Sequence, residues 1–229
     1  MRAQIYPLQN SSDDPSTKSI TTPIRGLQTY QCVVKRIEDL LLSLLLIFLI
    51  APLMMVIAVA IRLDSPGPVL FWQWRRGLHG KPIRVYKFRS MYNDLEDKAC
   101  KQQTTPHDPR VTRVGRFLRR HSLDELPQLF NVLRGDMSLV GPRPHALEMS
   151  VNGQPLECVT ETYRYRYSIK PGITGWAQVN GCRGQLNTIE KVVRRVEHDL
   201  HYIQNWSLIL DLKILTLSVA CTLGDEAAF

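Results

Sequence analysis

Apolar residues crowd one stretch of the chain above all others. From Leu40 to Ile61 the run is broken only by Ser43 and Pro52, about the length a helix needs to cross a hydrocarbon layer. Lys35 and Arg36 precede it, and Arg62, Arg75 and Arg76 follow it. Basic flanks mark the cytoplasmic ends of membrane segments, and Pro52 removes a helical hydrogen bond midway. The expectation is a re-entrant helix over residues 33–63 that enters, bends at Pro52 and returns to the same face. A simple span is the alternative. Residues 1–32 are polar and rich in Ser, Thr, Asn and Pro, the composition of a flexible arm. The apolar run starts too late for a signal peptide.

Shorter periods follow. Asp64-Ser65-Pro66-Gly67-Pro68 breaks the helix. Val69 to Trp72 and Ile83 to Met91 read as strands around a turn at Gly77 to Pro82, with Lys87 and Arg89 on one face of the second. Residues 92–109 are polar, a loop with a helical turn. Val114, Phe117 and Leu118 restore helical spacing, opposite Arg113, Arg116 and Arg120; Leu126, Leu129, Phe130 and Leu133 predict another helix. Met137 to Val140 is a short strand, and residues 151–161 an irregular insert. Tyr163 to Tyr167 alternates aromatic and basic residues, as a strand with two dressed faces or a nucleic-acid stacking surface would. Glu190 to about Thr222 predicts one long helix. Asp211 and Lys213 make its second half amphipathic, suited to a membrane surface or to the core rather than to crossing.

Charge sharpens this picture. Net charge is +8 with a pI near 9.4, which points to phosphate-bearing partners: nucleic acid, nucleotides or anionic lipid. Five cysteines at 32, 100, 158, 182 and 221 have neither the pairing pattern of a disulfide framework nor metal-ligand spacing. His107, His121, His145, His198 and His201 likewise lack metal spacing and read as ordinary surface or core positions. Lys170 to Trp176 is glycine-punctuated but lacks a P-loop ending.

The most pointed chemistry lies in Ser122-Leu123-Asp124-Glu125-Leu126-Pro127-Gln128. Two adjacent carboxylates follow Arg110, Arg113, Arg116, Arg119 and Arg120, and Gly141-Pro142-Arg143-Pro144 fixes a further guanidinium between prolines. Arginine forks match phosphate oxygens in geometry and charge. A plainer reading is helix capping. Ser122 and Glu125 fit a capping box, and Asp124 as N-cap places Pro127 third in the helix, where no N–H is needed. The second is preferred, and it leaves a helix N-terminus to keep Asp124 ionised and help seat a phosphate.

These pieces together resemble the bacterial sugar transferases that load polyprenyl phosphate, the monotopic phosphoglycosyl transferases. The matching blocks are Lys35-Arg36 with the apolar run and Pro52, Ser65 to Pro68, Tyr86 to Met91, Asp108-Pro109-Arg110 and Val114-Gly115. They continue through Arg119-Arg120, Ser122 to Gln128, Gly135 to Pro144 and Lys170 to Gly181. In one departure, Ala51 stands before Pro52 where many members have serine. The resemblance implies an α/β (α+β) fold: a small mixed catalytic domain over 64–222 on the cytoplasmic face of the bacterial inner membrane, with a re-entrant helix, membrane-surface amphipathic helices and a tail at 223–229. It implies Asp124 as nucleophile, Glu125 as Mg²⁺ ligand, and Lys87, Arg89, Arg110, Arg119, Arg120 and Arg143 around the substrate. The implied reaction takes hexose 1-phosphate from UDP-glucose or UDP-galactose to undecaprenyl phosphate, the first membrane step of an exopolysaccharide, capsule or O-antigen. The implied partners are the UDP-sugar, undecaprenyl phosphate and the bilayer, with no nucleic acid; a homodimer is left open. His145-Ala146 and Gly175 to Gly181 resemble members using unmodified hexoses. An N-acetylated amino sugar and a membrane-tethered nucleic-acid-binding or scaffolding protein are the alternatives. Larger members carry membrane helices ahead of this module, so the chain is expected to be a minimal version or an excised piece.

Overall fold

A computed structural model describes residues 26–93 and 108–224. Most of the expected arm, most of the 92–109 loop, Cys100, His107 and most of the tail lie outside the described residues.

The apolar run becomes helix α1 (Thr29–Asp64), entered through a capping box between Gln28 and Gln31 and continuing through Pro52. At about 1.5 Å per residue its 36 residues reach roughly 54 Å. Its most apolar window has a mean hydropathy of 3.1 and is 11% buried, so most of its side chains face outward. Both ends nevertheless dock on one domain. Near the start, Lys35 pairs with Asp211 at 2.6 Å, and Asp39 accepts hydrogen bonds from the Ser138 hydroxyl and Leu139 N–H, both at 2.9 Å. Near the finish, Ile57 and Ile61 pack with Phe88 and Leu118, and Asp64 accepts from the Val114 N–H. Between these anchors Leu41, Leu44, Leu45, Phe48, Leu49 and Leu53 are exposed.

Strands β1 (Leu70–Arg76) and β2 (Pro82–Phe88) form an antiparallel hairpin close to the expected one, with Phe71 opposite Lys87 and Gln73 opposite Val85. A basic helix α2 (Arg113–Arg120), capped by Thr112, follows. Next comes α3 (Gln128–Arg134). Its fully buried Asn131 accepts from the Tyr86 N–H at 3.0 Å and donates to the Arg84 carbonyl at 2.6 Å, fastening helix to hairpin. Arg36 closes the other end of α3 by donating to the carbonyls of Val132 and Leu133, where helix carbonyls lack partners.

Strand β3 (Ser138–Val140) precedes a small hairpin of β4 (Ser150–Val151) and β5 (Gln154–Pro155). β3 pairs in parallel with β6 (Gly172–Thr174). The backbones approach so closely that a Cβ on Gly172 would lie 2.1 Å from the Gly141 nitrogen; only glycine fits. A short α4 (Trp176–Val179) leads to α5 (Ile189–Gln204) and α6 (Leu208–Gly224). The expected single C-terminal helix is therefore two. Asn205 caps α5, and Trp206 turns back so that its indole N–H donates to Asp211 at 3.0 Å. Tyr163 to Tyr167 is not a strand: it lies in a 3-10 helix over Glu161–Ser168 that buries Tyr163 and Arg166.

One core joins α3, β3, α5 and α6 through Val132, Met137, Val140, Val196, Tyr202 and Ile214. A smaller one holds the end of α1 against α2. The mixed helix and strand character expected of the domain is present.

Candidate active site

Asp124 does not cap a helix. Ser122 adopts left-handed backbone (φ 54°) and caps nothing with its side chain; a 3-10 turn follows over Leu123–Glu125, and α3 starts only after Pro127. Pro127 has no N–H to give and its ring obstructs continuation from the preceding turn. The consequence is chemical: both carboxylates are freed from backbone duty and point into a cavity of about 630 Å³.

The two carboxylates differ. Glu125 receives both guanidinium nitrogens of Arg143, one at 2.9 Å and one closer, and the Lys87 ammonium at 2.6 Å. Asp124 is buried and has Lys87 at 3.6 Å. Burial pushes Glu125 upward, but Arg143 and Lys87 outweigh it and hold the carboxyl well below the usual range. Burial raises Asp124 and the neighbouring Glu125 charge raises it further, more than Lys87, Arg119 and Arg143 lower it. Environments that drive two carboxyls apart assign them different work: Glu125 is a fixed anion, and Asp124 is the more basic, less engaged group.

The turn carrying Arg143 is held from several sides. Arg75 donates to the Pro144 carbonyl at 2.6 Å, Arg166 to the Arg143 carbonyl at 2.8 Å, and the Gly172 N–H to the Pro142 carbonyl at 3.0 Å. Arg166 is itself fixed by a buried pair with Asp199 at 2.7 Å. His145 is buried in the cavity wall, its Nδ1 2.5 Å from the Tyr163 hydroxyl and 3.1 Å from an Arg166 nitrogen. Burial, then the surrounding arginines, push the imidazole well below its ordinary range, so it stays neutral.

Of the eight residues named from sequence, Asp124, Glu125, Lys87, Arg119 and Arg143 line this cavity together. Three do not. Arg89 lies beyond the end of β2, buried, donating to the carbonyls of Ile61, Ser65 and Pro66 and to the Ser65 hydroxyl; it fastens the end of α1. Arg110 is paired with Asp108 at 2.6 Å, and Arg120 is exposed on α2. Conversely Arg75, Arg183 and Arg195 line the cavity without having been picked out as substrate contacts, and so does His145, singled out only within a block that resembles hexose-using members. Arg195 donates to the carbonyls of Cys182 and Gly184, shaping the loop that carries Arg183. Only the spacing of Arg195 on the buried face of α5 could have signalled it.

Residues 30–225 match the bacterial sugar transferase family. The chain belongs to that family. It is 52% identical over 205 residues to an undecaprenyl-phosphate glucose phosphotransferase of Komagataeibacter xylinus, covering 90% of this chain and 38% of the relative. It is 48% identical over 222 residues to a UDP-glucose:undecaprenyl-phosphate glucose-1-phosphate transferase of Escherichia coli K12, covering 97% and 46%. An exopolysaccharide production protein PSS of Rhizobium leguminosarum is 46% identical, with 86% and 98% covered. The chain thus spans less than half the length of the two glucose-transferring relatives. Among this sugar transferase's described residues no group of three His, Cys, Asp or Glu could cage a metal.

Proposed function

We propose that this sugar transferase moves glucose 1-phosphate from UDP-glucose to undecaprenyl phosphate at the cytoplasmic face of the bacterial inner membrane, releasing UMP. The observation that carries the reading is the adjacent Asp124–Glu125 pair, Asp124 buried, inside a cavity walled by Lys87, Arg119 and Arg143; the names of the relatives supply the substrates. An oxygen of the Asp124 carboxylate attacks the phosphorus bearing glucose, and the bond from that phosphorus to UMP breaks with its electrons on UMP. The aspartyl phospho-glucose then meets an oxygen of undecaprenyl phosphate; a diphosphate bond forms, the bond to Asp124 breaks, and the carboxylate returns. A carboxylate is a competent covalent catalyst, and phosphoryl transfer is helped chiefly by positioning and by cations on the developing charge. Lys87 and Arg143 supply those cations once they exchange part of their hold on Glu125 for phosphate oxygens.

The pair also fits Mg²⁺, which is usually bound by one or two carboxylates plus substrate phosphates rather than by an all-protein cage. Glu125 would hold the ion beside Asp124, and the ion would neutralise diphosphate charge.

Re-entry of α1 is part of this reading. Its support is that both ends of the helix dock on the same domain while the residues between are exposed and apolar. Single-cysteine labelling on both sides of α1 in intact cells tests it; a label reaching one end from outside refutes re-entry. The reaction is tested by UMP release across UDP-glucose, UDP-galactose and N-acetylated UDP-sugars, with and without lipid acceptor. A UMP burst without acceptor, largest for UDP-glucose, is expected; no burst with any UDP-sugar refutes the covalent scheme.

A further inference from the structure

We propose that the prenyl chain of the acceptor reaches Asp124 through the cleft between α1 and α6, with Leu46, Ile50, Leu215 and Val219 as its walls; this rests on the acceptor being a polyprenyl phosphate. One cavity joins these side chains to the carboxylate pair. Leu46 and Val219 line it and are also 37% and 63% exposed, so they mark an opening. That opening merges with outward apolar surface on both helices, Leu45, Phe48 and Leu49 on α1 and Leu212 and Leu217 on α6. The hydroxyls of Thr174 and Ser218, which line the cavity beside the cleft, bond each other at 2.6 Å. Lys35 and Asp211 join the same two helices at 2.6 Å.

A second opening has the opposite character. Exposed His121 and Gly184, with Arg119, Ser122, Arg183 and Gln185, edge the cavity on the loop side. A nucleotide sugar enters from water and UMP leaves to water, which suits that polar edge. A prenyl chain stays in hydrocarbon and must present only its phosphate, which suits the apolar cleft, because the chain then reaches the carboxylate without exposing its apolar surface to water. Two openings on one cavity let the two substrates use the same carboxylate in turn without crossing paths.

The test is Val219→Trp and, separately, Leu46→Trp in the detergent-purified full chain. Both positions are exposed, so the larger ring narrows the cleft without entering the core. Three rates are read: the acceptor-free UMP burst with UDP-glucose, turnover with undecaprenyl phosphate, and turnover with a ten-carbon prenyl phosphate. The expected result is a KM for undecaprenyl phosphate raised about tenfold or more, with the burst and the short-chain reaction close to the parent protein's. Unchanged KM for the long chain in both variants overturns the path. An equal loss for long and short acceptors also overturns it, since it would show a damaged reaction centre. Absence of a burst in the parent protein would instead refute the donor reading; cross-linking of a diazirine-bearing polyprenyl phosphate would then still report on α6, and its failure to label that helix would overturn the path independently.

Discussion

Glu125→Gln separates the roles of the two carboxyls. In the parent protein the Glu125 side chain is 13% exposed and neutralises Arg143 (28% exposed) and Lys87 (18% exposed). Removing one partner of a fully buried pair costs about 3–5 kcal/mol; the partial exposure of the two cations reduces this to roughly 1–3 kcal/mol. At about 2–4 °C per kcal/mol for a chain of this size, Tm should fall by roughly 2–12 °C. The same change acts on Asp124 in a defined direction. Glu125 is one of the charges that raise the Asp124 carboxyl, after burial, whereas Lys87, Arg119 and Arg143 lower it. With Glu125 neutral, Asp124 ionises more readily. If ionised Asp124 is the nucleophile, UMP release is lost as pH falls through its pKa, and this acid limb should move to lower pH in Glu125→Gln. The assay is single-turnover UMP release without acceptor, from pH 4 upward in about half-unit steps, at fixed Mg²⁺ and again at raised Mg²⁺. The amplitude should be reduced and should recover partly with Mg²⁺. An acid limb that stays in place or moves upward would refute the assignment of Asp124 as nucleophile and of Glu125 as the charge that tunes it.

Asp124→Asn should abolish the UMP burst and leave no phospho-sugar on the protein. Because the folded state raises the Asp124 pKa, its ionised form opposes folding at neutral pH, so Tm measured there should hold or rise rather than fall. Arg143→Lys keeps the charge but loses the planar fork; at about 1.5–3 kcal/mol for charge-assisted bonds, UMP release should drop roughly 10- to 150-fold with Tm little changed. Asp211→Asn removes the carboxylate bonded to buried Lys35 and weakens the bonds from Tyr202 and Trp206. A loss of about 3–5 kcal/mol is expected, read as faster proteolysis between α1 and the domain.

The long apolar helix, the β1–β2 hairpin, α2 and the β3 strand were legible because each has a local cause: an apolar run, alternation, helical spacing or a breaker. The C-terminal break was not. Asn205 and Ser207 give only weak local signals, the one capping α5 and the other accepting from the Leu210 N–H at the start of α6; the turn is fastened by Trp206 and Tyr202, which both reach Asp211, a contact between segments already folded. The 3-10 helix over Glu161–Ser168 was hidden for the same reason. Its alternating aromatic and basic residues suggest a strand, but the Arg166–Asp199 pair and the Tyr163–His145 contact decide its shape.

The arginines show the deeper limit. Lys87 and Arg89 share a sequence motif and a strand parity, yet one faces Glu125 and the other is surrounded by carbonyls at the end of α1. Five donors on a rigid plane suit a bundle of backbone carbonyls as well as a phosphate, so residue type cannot separate the two uses. What separates them is what the third dimension places opposite. Within the cavity six cations, Arg75, Lys87, Arg119, Arg143, Arg183 and Arg195, face only Asp124 and Glu125, and His145 is kept neutral beside them. Arg75, Lys87, Arg143 and Arg195 already have protein partners, but the wall as a whole remains positive. Such a wall attracts phosphate groups in general. In the two-step reaction proposed above, the cation excess would serve the donor's diphosphate first and the acceptor's phosphate after UMP departs, with the apolar cleft and the polar edge separating the two approaches.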